Sequence, residues 1–369
     1  MNLTSKQCRS TYSDRSLVIW LDIGLPLLFL PACLYRFLIG VHLSQVDVAK
    51  EFAEEEIQSS VALRTPRQIS WARFKRNKAA LISGLVALFF VIAAFLAPVI
   101  TGVLGLNPNT TYTNALNQFG MPIGSLGGVS MTHPLGVEPG AGRDLLALLL
   151  YGSRISFSVA LIVSVGAIGL GMLVGITAGY FRGKVDAIVG RFSDFVLSFP
   201  STFMIVALTL PLVQRVEALH IAKNNGARIV VLVIFFVVFG WPGFARLIRS
   251  QALSMRERDF VMAAQALGAS NWRIITKEIL PNLWPTAIVF LSLSLPGYLA
   301  AEATFSFLGV GVQAPAATWG LVLSDAVTYW QQDPAYLIIP SAMLIIIVLA
   351  LNLMGDGIRD ALDPKADGR

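Results

Sequence analysis

One stretch of this sequence looks, on composition, like a phosphate-cradling loop. Gly179-Tyr180-Phe181-Arg182-Gly183-Lys184 carries the glycines and the lysine of such a loop. The spacing is one residue short, however, and Val185 stands where a Ser or Thr must reach the magnesium ion. No His-Glu-x-x-His pair, serine elbow or metal-ligand cluster accompanies it. The two cysteines, Cys8 and Cys33, form neither a metal spacing nor a disulfide framework, and His42, His133 and His220 are scattered. The chain is therefore read as a non-enzyme that binds no cofactor or metal of its own. Glu302 is a different kind of candidate, because a carboxylate inside an apolar run is costly and often functional. Three roles stay open for it: lining or gating a pathway, carrying a proton, or bonding a neighbouring helix near the outer end.

The segment 256–281 carries the other candidate chemistry, and that chemistry is mechanical. Residues 259–267 predict one short helix, starting at Asp259. Gly268 suits its left-handed stop. Ser270 can cap a second helix that runs to about residue 279, and Pro281 is expected to break the chain before the next apolar run. The product is a helix–turn–helix projecting from the membrane. Ala263, Ala264 and Gly268 offer small surfaces on which another protein can approach closely. Upstream, Ala167, Gly171, Gly175 and Gly179 recur every four residues, a stripe that lets helices pack closely. Packing inside this subunit is favoured for that stripe over packing against a partner.

The elements that position these residues are membrane spans. Of 369 residues, 55% are hydrophobic and only 14% charged, too few charges to cover a water-exposed surface. Apolar runs at about 79–103, 155–181, 192–213, 229–245, 284–308 and 336–354 are long enough to cross hydrocarbon. They do not alternate as barrel strands do, so an all-α bundle is expected. With both ends of this six-span core in the cytoplasm, the inside segments hold 18 Lys and Arg and the outside segments 5. That bias fits the positive-inside rule and accounts for the +6 net charge without nucleic acid. Residues 17–42 are apolar but interrupted by Asp22, Pro26, Pro31 and Arg36. They read as an extra span, an interfacial segment or upstream sequence from a misassigned start. An acidic stretch, 47–56, follows. Residues 104–153 read as an outside loop with a short helix at its end.

Segment 256–281 resembles the EAA loop of ABC importer permeases, matching it at Ala263, Ala264, Gly268, Leu280 and Pro281, with Met262 where that family has Glu. Residues 133–144 and 149–156 resemble the segment before the second span in the C-type permeases of dipeptide, oligopeptide and nickel importers, with Gly136-Val137-Glu138 where those read Gly-Thr-Asp. Gly240-Trp241-Pro242-Gly243-Phe244-Ala245-Arg246, Glu302 to Gly309 and Asn352 to Pro364 match as well. The resemblance covers about 68–364 and not the first sixty or so residues.

That resemblance implies a six-helix type I ABC importer transmembrane domain. It implies an atypical extension over 1–66, a first span and extracytoplasmic loop over 67–153, a permease core over 154–357 and a cytoplasmic tail over 358–369. It implies a bacterial inner-membrane, multi-pass subunit whose C-terminus is cytoplasmic. The implied partners are a second homologous permease, two ABC ATPases that hold the ATP and magnesium, an extracytoplasmic solute-binding protein and membrane lipid. The implied docking set is Asp259, Ala263, Ala264 and Gly268, with Arg273, Leu280 and Pro281 holding the loop. The expected solutes are di- or oligopeptides, with nickel or glutathione as alternatives. An ion-coupled secondary transporter is a weaker rival, because Glu302 stands nearly alone.

Overall fold

The computed structural model of the protein describes residues 66–363. The candidate segment 17–42, the acidic stretch 47–56, both cysteines and the tail beyond residue 363 lie outside the described residues. The regular elements of the described chain are helices, with an irregular outer loop over 105–144: α1 (Pro66–Arg76), α2 (Lys78–Phe95), α3 (Ala97–Leu104), α4 (Leu145–Phe181), α5 (Gly183–Ser198), α6 (Ser201–Ala218), α7 (Asn225–Arg256), α8 (Asp259–Ala266), α9 (Asn271–Arg273), α10 (Leu280–Phe307), α11 (Trp319–Tyr329) and α12 (Pro334–Leu362). A π-helical segment, Ile274–Ile279, joins α9 to α10. Five helices are long and apolar enough to cross a membrane, and α5 with α6 makes a sixth, bent, crossing.

The crossings differ in detail from the apolar runs. The first run, 79–103, is two helices that part at Leu96. Pro98, in the first turn of α3, lacks an N–H, and its ring crowds the carbonyl four residues back. The second run begins ten residues earlier than its hydropathy suggested. Asp144 accepts the Ala147 N–H at 2.9 Å and so nucleates α4 at Leu145, and the short helix expected at the end of the outer loop is the first turns of α4. At 37 residues α4 is about 55 Å long, well beyond the roughly 30 Å hydrocarbon core. The third run, 192–213, is interrupted by an 81° bend between α5 and α6. Phe199 precedes Pro200 and is held extended (φ −81°, ψ 133°), because the proline ring excludes the helical conformation there.

Helix directions follow from the contacts. Gly171 faces Trp241 to Ala245, Gly175 faces Ala245 to Ile248, and Gly179 faces Arg249 to Leu253, so α4 and α7 run parallel. Asn225 exchanges hydrogen bonds with Gln313 at 2.7 and 2.9 Å, bringing the start of α7 to the exit of α10. At that same end the Tyr336 hydroxyl of α12 donates to Glu138 beside the start of α4 (3.3 Å). Gly357, near the end of α12, lies hard against Ala80 at the start of α2. The six crossings therefore return the described chain to the end from which it started, which is also the end that carries α8 and α9.

Two packing devices hold the bundle. Trp319 is fully buried, donates its indole N–H to the Leu149 carbonyl at 3.1 Å, and meets Phe90 and Phe157 edge-on. It joins α2, α4 and α11 in a single cluster. The second device is the glycine stripe. A side-chain carbon on Gly175 would come within 2.6 Å of the Ala245 carbonyl oxygen, and one on Gly179 within 2.7 Å of the Arg249 carbonyl oxygen. The two backbones thus touch, and dispersion between them stands in for the hydrophobic effect that lipid cannot supply. Gly169, on the same helix, meets nothing within 4 Å. Gly175→Ala is expected to destabilise the detergent-solubilised subunit by about 1–3 kcal/mol through overpacking, while Gly169→Ala leaves its thermal unfolding unchanged. A fluorescence-detected melting curve distinguishes the two.

Candidate docking site

The hook between α7 and α10 is built from its termini inward. α7 runs on to Arg256, and Arg258 starts α8. Gly268 then takes φ +78°. Its N–H donates to Gln265 O at 2.9 Å and the Ala269 N–H donates to Ala264 O at 3.0 Å, the reciprocal pair of a Schellman stop. Ser270 caps the following helix, its hydroxyl oxygen accepting the Arg273 N–H at 3.4 Å. Pro281 does not break the chain, contrary to the sequence expectation. It falls in the first turn of α10, and α9, the π segment and α10 form one continuous helix over Asn271–Phe307. In the π segment the Leu280 N–H reaches back five residues to Ile275 O, and that wider turn lets the chain pass a residue that has no N–H of its own.

One face of the hook is driven into the bundle. Val261, Ile274, Ile279 and Leu283 are fully buried against Ile176 and Tyr180 of α4 and Ile248 and Ala252 of α7. The opposite face is apolar and exposed: Leu267 is 88% exposed, Trp272 74% and Met262 49%. Asp259 and Ala263 are exposed, Ala264 is half-buried, and a side chain on Gly268 would meet nothing within 4 Å. Leu280 is half-buried and Pro281 exposed.

Arg273, expected to hold the loop, is exposed, and its guanidinium makes no hydrogen bond among the described residues. Tyr180 at the end of α4 bonds to both flanks of the hook. Its hydroxyl donates to Asn271 Oδ1 at 2.8 Å, its carbonyl accepts from Arg256 at 2.8 Å, and the same guanidinium lies 5.6 Å from its ring centroid. Both flanks of the hook are thus tied to one residue. Arg182 adds an ion pair with Glu257, which keeps that carboxyl below its ordinary range. Arg246 pairs with Asp194 and Arg249 with Asp186, fastening α5 to α7. Nothing in the sequence links Tyr180 to Asn271, 91 positions apart.

Glu302 is fully buried. Ser156 of α4 donates to it at 2.5 Å and Ser306 donates at 2.8 Å, so the carboxylate is a tie between α4 and α10. A groove of about 430 Å³ runs past the same helix but is lined by Tyr298, Ala301 and Phe305, leaving Glu302 enclosed behind it. At the far end, Glu138 pairs with Arg143 at 2.5 and 2.8 Å and holds that guanidinium above its ordinary range. Burial, reinforced by Glu138, pushes Asp325 up. His133 lies 2.8 Å from Asp144, the cap of α4.

The family described as the binding-protein-dependent transport system inner membrane component matches residues 171–368, more than half of the chain. The chain belongs to this family. A second model, the N-terminal TM domain of oligopeptide transport permease C, matches residues 65–119. Among curated relatives, the permease is 33% identical over 301 residues to a dipeptide transport system permease of Alkalihalophilus pseudofirmus, covering 82% of this chain and 90% of that one. It is 33% identical to a glutathione transport system permease of Pectobacterium atrosepticum (82% and 93%) and 31% identical to an oligopeptide transport system permease of Haemophilus influenzae (88% and 97%). An inward-facing MetNI methionine ABC transporter structure aligns over 58% of this chain and 96% of that one, at TM-score 0.45 and 20% identity. The permease is a multi-pass inner-membrane protein and a transport subunit of the ABC importer class.

Removing the Tyr180 hydroxyl costs the hook one internal hydrogen bond, about 0.5–1.5 kcal/mol. Tyr180→Phe is expected to speed amide exchange across residues 259–273 up to about tenfold and to leave α11 and α12 unchanged, as read by hydrogen–deuterium exchange mass spectrometry.

Proposed function

We propose that this permease forms half of the translocation pathway of an ATP-driven peptide importer, and that its hook receives a separate ATPase. The observation that carries the reading is the two-faced hook. Its inner face is locked into α4 and α7 through Val261, Ile274 and Tyr180. Its outer face offers exposed apolar side chains beside the small residues Ala263 and Gly268. A lever needs that combination, a rigid root and a free docking surface. When an ATPase closes on nucleotide, force on the hook crosses the turn at Gly268 and passes from α9 into α10 along one continuous helix, 271–307. The pathway then alternates between two states biased by nucleotide and solute.

The remaining assembly follows the family. A second homologous permease completes the pathway, two ATPases bind ATP and magnesium, and an extracytoplasmic binding protein delivers solute. The hook end and the C-terminus lie in the cytoplasm, in keeping with the excess of Lys and Arg at that end. Asp259, Ala263, Ala264 and Gly268 make the docking surface. Residues 67–153 supply the first crossing and the outer loop, and 154–357 the core.

Relatives named for dipeptide, oligopeptide and glutathione transport support small peptides as the solute class, glutathione being itself a tripeptide.

Two measurements test the reading. Gly268→Val forces a β-branched residue into φ +78° at the docking tip. It is expected to leave membrane insertion intact, to lower peptide uptake at least tenfold and to weaken ATPase retention on the purified subunit. Normal uptake contradicts the docking assignment. Gln265→Cys, in a background lacking Cys8 and Cys33, is expected to react with an impermeant thiol reagent only from the cytoplasmic side, and labelling from outside reverses the topology.

A further inference from the structure

The bend between α5 and α6 opens a groove at mid-depth in the bundle, walled by α6, α7 and α10, with a volume of about 430 Å³. Its size lies within the roughly 300–1,000 Å³ of small-molecule sites. Its chemistry differs from the other outward faces of these helices. Elsewhere they present Phe203, Leu210, Ile234 and Ile288, each at least 45% exposed and suited to lipid. The groove instead collects Ser201 and Thr202 from the first turn of α6, and Ser294 and Tyr298 from α10. Hydroxyl side chains at this depth belong on a protein interior or a wetted cavity.

Tyr298 is the centre of the groove. Its ring stands against Phe236, 6.0 Å between centroids, and its hydroxyl lies over Gly240, where any side-chain carbon would collide with it. Gly240 is therefore the notch that accepts the phenol. The hydroxyl has no hydrogen-bond partner among the described residues, whereas a phenol at such a depth ordinarily has one. Pro200 leaves the N-terminus of α6 without a side-chain cap, so its first-turn N–H groups stand at the same groove. Ser294 donates its hydroxyl to the Leu291 carbonyl at 3.1 Å, and the hydroxyls of Ser201, Thr202 and Tyr298 line the remaining space with the first-turn N–H groups of α6. Gly297 lies along the opening, with nothing within 4 Å of a side-chain carbon placed there.

We propose that this groove is the solute-contacting wall of the pathway contributed by this chain, and that the Tyr298 hydroxyl hydrogen-bonds the backbone of the passing peptide. This rests on the peptide-importer reading above and adds to it the residues that meet the solute.

The test uses the assembled importer in proteoliposomes with a labelled dipeptide. Gly297→Cys is introduced with Cys8→Ser and Cys33→Ser, and has room to fold as the parent does. A hydrophilic thiol reagent is expected to label residue 297 at a rate that changes several-fold on adding ATP, and attachment of a bulky adduct is expected to block uptake. Labelling depends on water access and not on which solute is carried. It therefore stands even if the solute is not a peptide, which uptake by the unaltered importer decides separately. Tyr298→Phe is expected to raise KM for the dipeptide about three- to tenfold, a larger change than in kcat. Absence of labelling in every nucleotide state overturns the proposal, because the groove then faces lipid or is sealed by the second permease. An unchanged KM in Tyr298→Phe, or loss of the second permease from that variant, overturns the assignment of Tyr298.

Discussion

The approach of α4 to α7 sets the spacing on which the remaining architecture rests. Gly171, Gly175 and Gly179 let the backbone of one helix press against carbonyls and Cβ atoms of the other over three turns. Water offers no driving force for such contact inside a bilayer, so close dispersion contacts supply it. The consequence reaches both ends of the molecule. At one end the parallel pair finishes together, and Tyr180 and Arg256 come within reach of each other and of Asn271. At the other, the early start of α4 at Asp144 brings Ser156 to the level of Glu302. A looser pair separates the hook from its root and leaves a buried carboxylate without its donor.

The two faces of the hook obey different packing rules. The inner face follows ordinary core packing, with Val261, Ile274 and Ile279 wholly buried. The outer face leaves large apolar side chains uncovered by this chain, an arrangement that marks interaction surfaces. Between them, the π segment is a local defect with a mechanical benefit. It accommodates Pro281 and leaves α9 and α10 one continuous helix over Asn271–Phe307. The second arm of the hook is therefore part of the same helix that carries Glu302 and the groove residue Tyr298.

The spans were legible in the sequence because length and apolarity suffice to take a segment out of water, and so was the turn of the hook, because only a few residue types accept positive φ. What proline does was not legible. Pro98 and Pro200 end helices, while Pro211, Pro242, Pro285, Pro296 and Pro340 lie inside them. The residue is the same each time, and its type alone does not say which outcome follows. The runs at 79–103 and 192–213 therefore read as straight spans although the structure divides them.

From sequence alone the chain declares which segments cross, which positions are small enough for backbone contact, and that a short two-helix hook stands between the fourth and fifth crossings. Only the tertiary structure decided that Tyr180 bonds both flanks of the hook, and that Glu302 is enclosed by Ser156 and Ser306. Hydropathy and helical period are properties of neighbours along the chain. A hydrogen bond between residues 91 or 146 positions apart depends on how whole helices register against one another, and no local pattern encodes that.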